Sequence, residues 1–261
     1  MSWNLRRQEV LDGDQLRAML QDNPASAARA ILIAAQANMV EAQALLGQIL
    51  LDGTGIEQDA ALALTWFQIA ARNGHAMASN MVGRCFEHGW GCEPDAVKAA
   101  EHYRQAAEAG LDWGFYNYGN LLATGRGVNK DQARALACYR KAAQMGHAKS
   151  MNMLGRYLEE GLCCERSVPA AHDWYRRSAE AGDFRGQFSH AAALADRGLI
   201  DEAVVWFQTA LRIGNLNFLR VSRKTLLHAT HPDIRAMAQD YHQRAAELGD
   251  ASDHAELEAL L

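Results

Sequence analysis

Apolar residues return to one side of a helical wheel again and again along this chain. Ala63, Trp66, Phe67, Ala70 and Ala71 stand at i, i+3, i+4, i+7 and i+8, a spacing that lays them on a single stripe of an α-helix. The stripe predicts a helix over 60–72, and a companion helix over 41–51 completes a pair. The pair recurs. Gly47, Gly83, Gly119 and Gly155 are each 36 residues apart, and the aromatic positions Trp66-Phe67, His102-Tyr103, Cys138-Tyr139 and Trp174-Tyr175 keep the same step. A fixed period of this length is the signature of stacked supersecondary units, none of which can bury its apolar stripe alone.

The punctuation follows the same register. Loop glycines Gly53/Gly55, Gly89/Gly91 and Gly125/Gly127 separate paired helices, with Gly161/Cys163 as an imperfect fourth pair. Asp59, Asp95, Asp131 and Ser167 stand before the second helices, where a short side-chain oxygen can accept from the amides of the first turn. Gly74, Gly110, Gly146 and Gly182 occupy the closing position of each unit, where a left-handed residue ends a helix.

The whole of 1–261 reads as one all-α repeat solenoid. An N-terminal cap covers 1–38, with 27–38 matching a second helix and Asn38 at the closing-glycine position. Four repeats fill 39–182, two degenerate ones 183–249, and a capping helix 250–261. The fifth unit is four residues shorter but keeps Ala203, Trp206-Phe207 and Gly214; the sixth keeps Ala238, Tyr241, Ala245-Ala246 and Gly249.

Composition agrees: 49% hydrophobic, 22% charged and 4 prolines suit a folded soluble chain. A net charge of −5 argues against a nucleic-acid surface, and the basic run Arg220, Arg223 and Lys224 reads as a solvated helix face. The longest apolar run, Ala30–Ala35, falls far short of a membrane span. Met1–Asp14 lacks an apolar export core, and five cysteines fit reduced thiols, so a cytoplasmic location is expected.

The stretch Tyr118-Gly-Asn-Leu-Leu-Ala-Thr-Gly-Arg-Gly-Val-Asn-Lys-Asp131, followed by Cys138-Tyr-Arg-Lys-Ala-Ala143 and Gly146, resembles the Sel-one-like repeat family, a branch of the tetratricopeptide-type solenoids. The resemblance covers residues 27–249. It implies a right-handed α/α superhelix whose first helices line a concave face, and a non-enzymatic, bacterial-style scaffold or adaptor for a protein or peptide partner, without a cofactor. Secreted members staple each pair with cysteines. Here Ala44, Ala71 and their counterparts hold those places, which supports an intracellular setting.

If the first helices line that face, three columns would meet a partner. They are Ala44, Asn80, Tyr116 and Asn152; Gln48, Arg84, Asn120 and Arg156; and Glu41, Met77, Trp113 and Lys149. Asn and Arg recognise backbone and carboxylates, while Met, Trp and Tyr supply contact area. Met77, Asn80, Arg84, Trp113, Tyr116, Asn120, Asn152 and Arg156 are therefore the candidate partner-binding residues, set against packed aromatics and merely solvated polar groups.

Three other groupings carry weaker chemistry. Cys85, His88 and Cys92 have ligand-like spacing and support an alternative, metal- or redox-responsive role, but a fourth zinc ligand is missing and Cys85 sits in the core column of Ile49, Leu121 and Tyr157. Cys163-Cys164 replaces turn residues. His228, His231 and Asp233 cluster where Pro232 starts a helix. No nucleophile elbow, phosphate loop or zincin pattern is present in the sequence, so no catalytic residue is expected.

Overall fold

The computed structural model describes residues 13–260; the expectation of no export signal rests on residues 1–12 and so lies mostly outside the described residues, as does the last position of the predicted capping helix. Fifteen helices and no strand occur among the described residues. Contacts divide the chain after Asp131 into two compact units.

The first unit holds α1 (Gly13–Asp22), α2 (Pro24–Gln36), α3 (Val40–Asp52), α4 (Ala60–Arg72), α5 (Ala76–His88), α6 (Ala96–Glu108) and α7 (Asp112–Thr124). From α2 onward each helix packs on the next, and α5 also touches α7, so first helices of successive repeats are neighbours. Ile31, Leu46, Phe67 and Val82 lie in one buried cluster. Burial of a side chain of this size contributes about 1.5–3 kcal/mol.

The helical glycines have a packing role that the register alone did not disclose. A Cβ on Gly47 would lie 2.7 Å from the Phe67 ring, and one on Gly83 would lie 2.7 Å from that of Tyr103. In these pairs the second helix sets its aromatic ring against the bare backbone of the first. At the caps, Asp59 accepts from the Leu62 amide at 2.9 Å and Asp95 from those of Val97 and Lys98 at 3.1 and 3.0 Å. Asn38, standing where later repeats have glycine, adopts φ 64°, a conformation asparagine tolerates better than most residues.

The second unit holds α8 (Gln132–Gln144), α9 (Ala148–Glu160), α10 (Val168–Glu180), α11 (Phe184–Asp196), α12 (Ile200–Ile213), α13 (Leu216–Leu227), α14 (Pro232–Leu248) and α15 (Ala251–Glu258). Its aromatic core packs Phe188 against Phe207, Phe218 and Tyr241, with ring centroids 4.9, 5.6 and 6.2 Å apart. Two local expectations need correction here. Ser167 precedes α10 but its side chain makes no capping hydrogen bond. Gly214 is not left-handed: its φ is −65°, and a Cβ there would sit 2.5 Å from Phe218, so close approach rather than turn geometry requires glycine.

The basic run on α13 is neutralised, not solvated. Arg220 and Arg223 both reach Asp253 of α15, at 2.6 and 2.9 Å, and Arg223 also reaches Glu256 at 2.6 Å. Asp253 and Arg223 are buried, so this ion network fixes the last helix onto α13.

Candidate functional site

The candidate residues fall into two sets, one per unit. In the first unit, Met77 near the start of α5 is 41% exposed and Trp113 near the start of α7 is 36% exposed. Trp113 meets Tyr116 edge-on, with centroids 6.1 Å apart. Arg84, half-buried, lies over the Trp90 ring at 4.8 Å and brings Nη1 to 3.7 Å from the Met81 sulfur. Tyr116 and Asn120 are also half-buried.

Asn80 departs from its expected place on an open face. It is 2% exposed, and its Oδ1 accepts from Asn117 Nδ2 at 2.8 Å. The neighbouring first helix covers it, and the Asn80–Asn117 bond ties α5 to α7. Asn117 escaped the sequence reading because its column is otherwise apolar, with Met81 and Met153 one period away on either side.

In the second unit, Asn152 is likewise buried, and its Oδ1 has no hydrogen-bond partner. Arg156, one turn on, is exposed and pairs with Glu160 at 3.6 Å along the same helix. The exposed cationic position of the columns therefore survives in α9, while the asparagine is interior.

Two histidines and two glutamates do structural work that was not anticipated. His75 caps α5, its Nδ1 accepting from the Ala78 amide at 3.0 Å while Nε2 stands 2.9 Å from Glu41. That geometry places the ring proton on Nε2. His147 caps α9 in the same way, accepting from Ser150 N at 3.3 Å. Glu87 and Glu159 accept from the hydroxyls of Tyr103 and Tyr175 at 2.6 and 2.7 Å, and Arg126 closes onto Glu87. Burial, then the bond to the glutamate, pushes both tyrosine pKa values up.

The cysteine and histidine groupings are taken up by local contacts of the fold. Cys85 is fully buried, and desolvation pushes its thiol up to about 12, the reverse of what a thiolate ligand needs. Cys92 turns its sulfur toward the Cys85 carbonyl at 3.6 Å, and His88 meets Trp90 with ring centroids 4.9 Å apart and planes tilted by 35°. Among the described residues no group of three or more His, Cys, Asp or Glu side chains is placed to hold a metal ion. Cys164 repeats the Cys92 bond, reaching the Tyr157 carbonyl at 3.4 Å, so it occupies an inward slot of the loop. His231 caps α14 by accepting from Asp233 N at 3.3 Å. Also, no helix among the described residues is long and apolar enough to cross a membrane.

The Sel1 repeat model matches residues 40–75, 76–111, 116–147, 148–183 and 232–250, more than half of the chain. The chain belongs to the Sel1 repeat family. A Sel1 repeat protein from Oxalobacter formigenes is similar at 24% identity and a TM-score of 0.74, over 90% of this chain and 99% of that one. A protective antigen of uropathogenic Escherichia coli strains, described as displaying an SLR fold, is similar at 23% identity and a TM-score of 0.69. It aligns with 94% of this chain, which spans only 56% of the antigen's length. An immunity protein from Pseudomonas aeruginosa is more distant, at 16% identity and a TM-score of 0.53 over 80% of this chain and 81% of that one. No curated protein matches the chain in sequence. These likenesses establish the helix-pair solenoid fold. Sel1 repeat proteins are in general protein-interaction scaffolds, and the fold is generally non-enzymatic.

Proposed function

We propose that this Sel1 repeat protein is a non-enzymatic adaptor that binds a protein or peptide partner on the exposed faces of its first helices. The observation that carries the reading is the pair of large apolar side chains, Met77 and Trp113, left open at equivalent places on adjacent helices. Two turns along the same helix from Met77, Arg84 lies over the Trp90 ring. An aromatic anchor flanked by a cation restrained by stacking is the composition of an interaction hot spot, and Tyr116 and Asn120 extend it. In the second unit Arg156 is the corresponding contact. Asn80 serves this surface from beneath, its bond to Asn117 tying α5 to α7.

The same reading puts the protein in the cytoplasm, which its five free cysteines support. Affinity capture from the source cell with the intact protein, compared with a Met77→Ala/Trp113→Ala variant of unchanged melting temperature, tests the surface. Partner recovery is expected to fall by at least about tenfold, since hot-spot truncations cost about 2 kcal/mol or more each. Equal recovery of the same partner would reject the assignment.

A further inference from the structure

In the first unit the loop inside each repeat lies on the preceding repeat. A Cβ on Gly55 would run into the backbone of Pro24 and Ala25, one on Gly91 into Ala60 and Ala61, and one on Gly127 into Ala96 and Val97. Each loop thus covers the first residues of the preceding second helix, and only glycine lets it come so near. The next loop residue turns inward: Ile56 and Cys92 pack against the buried cluster, and Cys92 and Cys164 point at the carbonyls of Cys85 and Tyr157. An acidic residue follows three times, as Ile56-Glu57, Cys92-Glu93 and Cys164-Glu165.

The fifth repeat lacks this element. Seven residues, 53–59, join α3 to α4, but only Arg197, Gly198 and Leu199 join α11 to α12. By the repeat register, the missing glycine would have lain on Val168, the counterpart of Ala60, and the missing inward side chain on Ala193, the counterpart of Cys85. A cleft of about 470 Å³ opens there between α10 and α11, its walls including Val168, His172, Asp173, His190, Ala193 and Arg197. Its floor is small and apolar.

The cleft also contains unmatched polar groups. His190 is 9% exposed, its Nδ1 is buried without a hydrogen-bond partner, and its ring is held edge-on to Trp206 at 5.4 Å. Burial, with the Arg176 charge nearby, holds the imidazole pKa below its usual value, leaving a neutral ring with one N–H donor. Arg176 is paired with Asp173 and Glu180, whereas Arg197 is exposed and makes no such pair among the described residues.

We propose that this cleft is a docking seat for an acidic turn of a partner protein, which takes the place that the chain's own loop fills in the first four repeats. A glycine of the turn approaches the start of α10, an aliphatic or thiol side chain points at Ala193, and the carboxylate that follows it meets Arg197 beside His190. The wall chemistry matches the chain's own loops, and the unpaired cation matches the acid that follows their inward residue. The proposal shares with the preceding section only the premise that the protein binds proteins. Its site lies wholly in the second unit, so either can fail without the other.

The test titrates the full chain with an acetylated, amidated heptapeptide carrying the sequence of residues 53–59, Gly-Thr-Gly-Ile-Glu-Gln-Asp, followed by amide NMR. Saturable shifts confined to α10, α11 and the Arg197–Leu199 linker are expected. Arg197→Ala should weaken binding by about fivefold, and a peptide with aspartate in place of its isoleucine should not bind. Grafting residues 89–95 in place of Arg197–Leu199 should abolish binding by filling the seat. If the graft does not fold, Ala193→Leu, which narrows the same cleft, serves instead. No saturable shift at millimolar peptide, or equal affinity in the filled variant, overturns the proposal.

Discussion

Replacing Gly83 by alanine is expected to destabilise the protein, although the same change in an ordinary helix interior stabilises it. Relief of glycine's backbone entropy contributes about 0.8–1 kcal/mol in favour of alanine. Against that, the new methyl would stand 2.7 Å from both Cδ1 and Cε1 of Tyr103 and 3.2 Å from the Ala99 carbonyl. The ring cannot swing aside cheaply: Tyr103 is 1% exposed, and its hydroxyl is bound to Glu87. Overpacking a core of this kind costs about 1–3 kcal/mol, and the pinned ring puts the cost in the upper half of that range. The net loss is then about 1–2 kcal/mol, a fall in melting temperature of roughly 2–8 °C for a chain of this size. Thermal unfolding followed by circular dichroism, with Gly83→Ala beside the parent, measures it. A melting temperature that rises would refute the argument that ring contact, not backbone freedom, keeps glycine at this position.

Cys163 holds φ 56° where earlier loops have glycine, so Cys163→Gly should stabilise by about 0.5 kcal/mol, about 1 kcal/mol of relieved strain being partly offset by a freer unfolded chain; denaturant melts would show no gain if the turn is unstrained. Thiol labelling under native conditions should modify exposed Cys163 first and Cys85 last, because Cys85 is buried and its thiol is pushed up to about 12; mass spectrometry of tryptic peptides reads the order. Arg220, and then Arg223, hold the Asp253 carboxyl well below the usual carboxylate range. A depressed folded pKa means that this contribution to stability is complete above the unfolded value of about 3.9 and is lost as pH falls below it. Protection factors of the α15 amides, corrected for intrinsic exchange, should therefore be lower at pH 3 than at pH 6, and Asp253→Asn should bring that lower protection to neutral pH. Equal protection in all three cases would remove the ion network as the anchor of α15.

The helices, their pairing and their order were legible in the chain because each depends on local chemistry repeated every 36 residues. A stripe at helical spacing, an aspartate before a helix and a glycine after it act within one or two turns, whatever lies beyond. Helix α4 spans Ala60–Arg72 as the stripe predicts, and α14 begins at Pro232. Side-chain exposure was not legible in the same way. Asn80 and Arg84 are one turn apart on one face of α5, yet Asn80 is interior, bonded to Asn117 of α7, and Arg84 is not interior. The role of Gly83 and the fate of Arg220 and Arg223 likewise depended on groups 20 to 33 residues away along the chain. The four-residue shortening of the fifth unit was visible in the sequence. That it leaves a cleft on α10 was not, because a missing loop opens a space only where its sisters are seen to fill one. Local order follows from the spacing of residues along the backbone, whereas burial and vacancy belong to whatever the folded chain brings, or fails to bring, against each surface.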